Sequence, residues 1–329
     1  METFESFERL IYTVNEGNFE EIALRLFHFQ ALQNKVYAEY LDNLGTDPRH
    51  VKSVEQIPFL PITFFKSRDV RTGLWHEDVV FTSSGTSGSN TSRHPARRDF
   101  YLQNAVRCFR HFYGLPEGFV FVALLPGYLD RSGSSLIEMV AHFIKMGENG
   151  GGFFARNDAE LLKVLNINQQ LDKPMMLWGV THALVDLAEK EKLTLKNAVV
   201  METGGMKGTR NEMTRDELQS FLSARLGVSS IASEYGMTEL MSQAYAEKGG
   251  IFACPPWMKM VIRDPEDPLE RLPKGRIGGI NVIDLANIYS CAFVETQDLG
   301  RTVENDRFEV LGRFDNSDIR GCNLLGQTA

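Results

Sequence analysis

The chain has 329 residues, 43% of them hydrophobic and 24% charged, with a formal net charge of −8. This balance supplies a large core, enough for one big α/β unit or two domains of about 150 residues. It argues against a general nucleic-acid or anionic-membrane surface. Four cysteines (Cys108, Cys254, Cys291 and Cys322) are widely separated with no CxxC pair, which argues against a zinc site of common spacing and suits a reducing cytoplasm. The start Met1-Glu2-Thr3-Phe4-Glu5 has neither the basic nor the apolar region of a signal peptide. No apolar run reaches the ~18 residues of a membrane span, so the expected location is cytoplasmic.

In chain order, residues 2–42 read as helical, with Asn18 and Glu21 spaced as a capping box ahead of Phe19, Ile22, Ala23, Leu26 and Phe29. Pro58, Pro61 and Phe64-Phe65 interrupt that pattern. From about 100 to 240, helices and continuous apolar strands alternate. A helix over 99–112 leads to a strand over 119–125, and a helix over 134–147 leads to the turn Gly150-Gly151-Gly152. A strand over 175–180 is followed by a helix over 181–191, a strand over 198–201 ends near Gly204-Gly205, and Thr214 opens a helix reaching Gly227. A strand over 229–232 then runs into Glu234-Tyr235-Gly236-Met237-Thr238-Glu239. Such alternation predicts a buried, mostly parallel sheet flanked by helices, with ligands at the carboxyl ends of its strands. After 250, prolines punctuate short strand-like pieces such as 278–283 and 290–294, predicting a smaller β-rich subdomain. The expected organisation is a helical segment over 1–75, an α/β core over 76–250, a β-rich subdomain over 251–312 and a short remnant over 313–329.

The stretch Thr82-Ser83-Ser84-Gly85-Thr86-Ser87-Gly88-Ser89 follows the apolar pair Val79-Val80. Glycines let a backbone approach an anion and aim several N–H groups at it, and small hydroxyls add donors without bulk. Ser/Gly/Thr runs also occur as plain flexible loops. Arg93-His94-Pro95-Ala96-Arg97-Arg98 lies just beyond, either a solvated basic patch or help for a bound phosphate. No GxSxG elbow is present, which removes the common hydrolase reading.

Four segments then occur in order: the loop over 82–89, Tyr235-Gly236-Met237-Thr238-Glu239, Thr296-Gln297-Asp298-Leu299-Gly300, and Gly312-Arg313-Phe314-Asp315. Together, over residues 80–320, they resemble the adenylate-forming superfamily of acyl-CoA synthetases, luciferases and peptide-synthetase adenylation domains. The resemblance implies an α/β fold of the N-terminal-domain type. It implies that Thr82, Ser83, Ser84, Gly85, Thr86, Ser87 and Gly88 embrace the β- and γ-phosphates of ATP. Thr238 would contact the α-phosphate, Glu239 would hold Mg²⁺, Asp298 would accept from the ribose hydroxyls, and Arg313 would bind ribose or phosphate. Gly204-Gly205 and Tyr235-Gly236 would lie beside the nucleotide. Trp178, His182, Gly236 and Met237 would line the acyl pocket. Residue by residue there are ordinary alternatives: Glu239 as a surface carboxylate, Asp298 as a turn residue, His182 as a core histidine at a helix start.

A closer resemblance is to the acyl-protein synthetases, including the fatty-acid-activating component of bacterial luminescence reductases. It is carried by Pro61-Ile62-Thr63-Phe64-Phe65-Lys66, by Leu125-Pro126-Gly127-Tyr128-Leu129 with Gly133-Ser134-Ser135-Leu136, by Glu202-Thr203-Gly204-Gly205-Met206-Lys207-Gly208, and by the ending through Cys322. It implies activation of a fatty acid as acyl-AMP, then transfer to Cys322 or to a partner thiol, with a reductase or acyltransferase as partner protein. Arg320 beside Cys322 would favour the thiolate; the ordinary alternative is a small buried residue. Two features depart from the superfamily. No lysine follows the loop glycines, where Arg93 or Lys207 would have to substitute, and few residues follow Gly312, so the C-terminal domain is nearly absent. Acyl- or aryl-CoA ligation and non-catalytic nucleotide binding remain alternatives.

Overall fold

The computed structural model describes residues 2–83, 91–126, 133–171, 173–204 and 213–314. The amino-terminal region is not one helix. It divides into α1 (Phe4–Leu10), α2 (Phe19–Gln33) and α3 (Lys35–Asn43). The Asn18–Glu21 capping box does not form: the Asn18 side-chain oxygen accepts from the Asn15 N–H at 2.8 Å, within the turn that separates α1 from α2. A capping box is instead present at Thr3 and Ser6. The two-residue strand β1 (Leu60–Pro61) and the short helix α4 (Phe64–Ser67) follow. Strands β2 (Val79–Thr82) and β3 (Arg93–Ala96) form an antiparallel hairpin that carries the Ser/Gly loop at its tip.

Helix α5 (Arg98–Tyr113) leads into β4 (Val120–Leu124), and α6 (Ser135–Met146) into β5 (Gly152–Phe154). Helix α7 (Ala159–Gln170) precedes β6 (Met175–Val180), α8 (Thr181–Lys190) precedes β7 (Ala198–Thr203), and α9 (Arg215–Leu226) precedes β8 (Ile231–Tyr235). Strand β9 (Ala244–Ala246) completes a six-stranded sheet of order β5-β4-β6-β7-β8-β9. All its pairs are parallel except β8–β9. Strands β4 and β6 are buried at every position, as a sheet covered by helices on both faces requires. Trp178, Phe121 and Phe143 are wholly buried there, each apolar side chain contributing about 2 kcal/mol of burial free energy. The capping box at Thr214 and Glu217 starts α9 as its sequence predicts, and Gly227 ends it in the left-handed region at φ 70°. Strand β5 begins in the Gly150-Gly151-Gly152 turn, and neither it nor α7 is among the elements expected from the sequence; a three-residue strand has no visible period.

The remaining strands are β10 (Ile251–Phe252), β11 (Met258–Arg263), β12 (Gly278–Asp284), β13 (Phe293–Thr302) and β14 (Phe308–Arg313). They form an antiparallel sheet of order β10-β14-β13-β12-β11, to which β1 adds in parallel beside β13. The expected strand over 290–294 begins only at Phe293. The backbone of 290–292 is engaged by side chains instead: the Ser290 carbonyl accepts from Asn34 at 3.0 Å and Gln30 at 3.2 Å, and the Ala292 N–H donates to Gln30 at 2.9 Å.

Candidate functional site

The hairpin anchors both ends of the loop. Thr82 pairs with Arg93, the Thr82 N–H donates to the Gly133 carbonyl at 2.8 Å, and the Ser83 N–H donates to the Ser92 carbonyl at 3.2 Å. The Ser92 N–H donates back to the Ser83 hydroxyl at 2.9 Å. Ser84, Gly85, Thr86, Ser87 and Gly88 lie outside the described residues.

The return strand is tied to the Tyr235–Glu239 segment by one buried ring. His94 is 1% exposed; its Nδ1–H donates to the Thr238 carbonyl at 2.8 Å, and its Nε2 lies 3.1 Å from the Asn287 side-chain oxygen. Asn287 in turn donates to the Glu239 carbonyl at 2.8 Å. Complete burial brings the His94 imidazole down to about 4, so the ring is neutral at physiological pH and its single N–H serves the Thr238 carbonyl. Asp284 holds the following residues, accepting from the N–H groups of Met241 at 2.8 Å and Ser242 at 2.9 Å. Sequence reasoning placed His94 only within a basic run. No local signal marks a residue whose partners lie at positions 238 and 287.

Glu239 is 5% exposed, so the surface-carboxylate alternative does not hold. Burial pushes its carboxyl up, opposed by a hydrogen bond with the Ser92 side chain and by the charges of Arg313 and Lys66. The loop base, the carboxylate and two cations therefore act on one another.

Asp298 is likewise not a turn residue. It lies within β13, 7% exposed, opposite Arg313 of β14. Its carboxylate accepts from the Tyr235 hydroxyl at 2.8 Å and from Arg313 Nε at 3.1 Å. Burial and the adjacent Asp298 carboxylate push the Tyr235 phenol well above its ordinary value, so it remains a donor. The Tyr235 ring packs on Phe252 and Phe308. Strand β8 runs through Tyr235, further than the sequence suggested, and this carries the aromatic to the antiparallel sheet.

The other candidates are more scattered. Gly204 ends β7 at φ 86°, a left-handed conformation suited to glycine, while Gly205 lies outside the described residues. Gly236 is exposed, and a Cβ there would stand 2.4 Å from a Glu234 carboxylate oxygen. Met237 is half-buried against the core. Trp178 is wholly buried between Phe143 and Tyr245. His182 is exposed on α8, which removes the core-histidine alternative. Cys322 lies outside the described residues.

Two buried carboxyls at the carboxyl ends of β7 and β8 were not singled out from sequence. Glu202 accepts from Thr181 at 2.6 Å and Ser233 at 3.0 Å, with Arg215 at 3.4 Å. Glu234 accepts from Thr203 at 2.6 Å, and burial raises its carboxyl to about 7. The only available signal was an acidic residue just before each glycine-bearing turn.

His94→Ala removes the donor to Thr238 and leaves a cavity. We expect it to cost about 3 kcal/mol in urea unfolding and to weaken ATP binding. Leu26→Ala, a remote core truncation of comparable cost, should leave ATP affinity unchanged.

No protein-family model and no curated protein sequence matches the chain. Solved structures do match. ATP-bound MatB from Rhodopseudomonas palustris is 20% identical over 71% of this chain and 47% of that one, with a TM-score of 0.53. An ATP-bound RpMatB-BxBclM chimera is 21% identical over 71% and 47%, with a TM-score of 0.55. The open conformation of 2-hydroxyisobutyryl-CoA ligase, bound to 2-HIB-AMP and CoA, is 14% identical over 90% and 74%, with a TM-score of 0.67. The chain spans about half the length of the first two. These neighbours are members of the adenylate-forming superfamily, and this chain shares their fold.

Proposed function

We propose that the protein activates a carboxylic acid with ATP, forming an acyl adenylate and pyrophosphate, and passes the acyl group to a thiol. The observation that carries this reading is the joining of the Ser/Gly-loop hairpin to Thr238 and Glu239 through His94 and Asn287. The substrate carboxylate oxygen attacks the α-phosphorus, and the bond from phosphorus to the pyrophosphate oxygen breaks. Catalysis rests on positioning and on neutralising the charge that develops at phosphorus. In this reading Thr82 to Gly88 cradle the outer phosphates and Thr238 contacts the α-phosphate. Asp298 accepts from the ribose through lone pairs not used by Tyr235 and Arg313, and Gly204, Gly205, Tyr235 and Gly236 border the nucleotide. Met237 and the Trp178–His182 segment border the acyl group.

A Mg²⁺ ion fits the donor set. Mg²⁺ is usually held by one or two carboxylates together with substrate phosphates, and Glu239 is a single buried carboxylate beside the Ser92 hydroxyl. The ion would neutralise phosphate charge.

The finer reading is a fatty acid as substrate, with Cys322 as acyl acceptor and a reductase or acyltransferase as protein partner. The remaining cysteines support that choice of thiol. Burial pushes Cys108 and Cys291 up to about 12 and Cys254 still higher, so none of the three is a ready nucleophile. CoA is the alternative acceptor, favoured by likeness to a ligase whose structure contains it. No helix among the described residues is long and apolar enough to cross a membrane.

Pyrophosphate exchange into ATP tests the first half-reaction. A panel of short, long and aryl acids should give acid-dependent exchange, and no exchange with any acid would leave only nucleotide binding. With a radiolabelled acid that supports exchange, label should remain on the protein and be lost in Cys322→Ala. Label surviving that change removes the acceptor assignment, and thioester found only with added CoA selects the CoA-ligase reading.

A further inference from the structure

The segment from Pro61 to Lys66, which carries part of the acyl-protein synthetase resemblance, has no binding role in the reading above, yet it packs on the same residues. Leu60 and Pro61 pair with Val294 and Glu295 of β13, and the Ile62 N–H donates to the Glu295 carbonyl at 2.9 Å. This fixes α4 beside the strand that bears Asp298. Phe65 is 1% exposed, and its ring meets the His94 ring edge-on at 5.9 Å. Phe65 therefore packs on the imidazole that bonds the Thr238 carbonyl. Successive residues of a helical turn point about 100° apart, so with Phe65 turned inward its neighbour Lys66 is exposed at the edge of this cluster.

Lys66 has no ion-pair partner among the described residues, whereas Arg313, the other cation whose charge reaches Glu239, is held by Asp298 at 3.1 Å. The Ser/Gly loop carries no lysine of its own from Thr82 to Ser92. An exposed ammonium on the helical turn that packs against His94, with its charge reaching Glu239 and no ion pair among the described residues, is suited to a polyanion, where it acts as a point charge. We propose that Lys66 binds the triphosphate of ATP, supplying from α4 the cation that the loop lacks. The proposal rests on the ATP-site reading and adds to it a residue from outside the four motif segments.

Equilibrium binding of ATP, ADP and AMP to wild type, Lys66→Gln and Lys66→Arg tests it, with Lys35→Gln as a surface-charge control. Lys66→Gln should weaken ATP by about tenfold, ADP less, and AMP by no more than about twofold, with an unchanged unfolding midpoint. Lys66→Arg and Lys35→Gln should stay within about threefold of wild type for ATP. Wild type that binds ATP while Lys66→Gln binds it equally well, or loses ATP and AMP alike, overturns the assignment of Lys66 and leaves the ATP site standing. Wild type that binds no adenine nucleotide overturns the ATP site and Lys66 with it.

Discussion

Asp298→Ala should lower ATP affinity by about 100-fold, close to 3 kcal/mol, the largest binding effect expected of any single change in this site. The carboxylate is 7% exposed and serves two partners at once, the Tyr235 hydroxyl at 2.8 Å and Arg313 Nε at 3.1 Å. Its own N–H donates to the Thr296 hydroxyl at 3.1 Å, which sets the side chain on the strand. Truncation removes the proposed ribose acceptor and also releases Arg313, whose side chain is 65% exposed and depends on Asp298 for its place. Asp298→Asn keeps one acceptor oxygen but not the charge that holds the guanidinium, so an intermediate loss of about tenfold is expected. Tyr235→Phe separates structure from binding. It keeps the ring on Phe252 and Phe308 and loses only the hydroxyl bond, which should cost about 1 kcal/mol of stability while ATP affinity stays within about threefold. Calorimetric titration with ATP and urea unfolding on the same samples check the set. An Asp298→Ala protein that is folded and binds ATP as wild type does would remove Asp298 from the nucleotide site.

The parts of this site that could be read from sequence share a property: their chemistry is carried by residues close together in the chain. Thr82-Ser83 and the Thr238-Glu239 pair are of that kind. Strand β6 was readable over Met175–Val180 because a strand buried on both faces shows as an unbroken apolar run. The capping box at Thr214 is legible because its two halves are three residues apart. His94 is the opposite case. Its neighbours in sequence are basic and polar, and its burial comes from Phe65, Thr238 and Asn287, which no periodicity connects. The same holds for 290–292, where Gln30 and Asn34, more than 250 residues away in sequence, take the backbone groups a strand would use. Burial of a single carboxyl is also a tertiary fact. Glu239 and Asp298 have ordinary alternatives as isolated residues, and only the fold encloses them.

Glu234 offers the largest expected dependence of stability on pH. In the unfolded chain its carboxyl titrates near the ordinary 4.5, while in the fold burial raises it to about 7 against the single bond from Thr203 at 2.6 Å. Below pH 4.5 both states hold the proton and the group costs nothing. As pH rises towards 7 the unfolded chain releases that proton while the folded chain keeps it, so stability falls. Above 7 the cost is complete, about 3 kcal/mol. Glu234→Gln has nearly the same shape, keeps an oxygen for the Thr203 hydroxyl and cannot ionise. It should match wild type near pH 4.5 and exceed it by about 3 kcal/mol at pH 8, read from urea unfolding across that range. Glu239, Asp284 and Glu295 are also raised by burial and slope the same way. The informative quantity is therefore the difference between wild type and variant, which isolates one carboxyl from the others. Equal slopes in the two proteins would show that Glu234 ionises in the fold as easily as in the unfolded chain. Unequal slopes would place a carboxyl that keeps its proton up to about pH 7 directly before Tyr235 and Gly236, where it adds no negative charge beside the proposed nucleotide site.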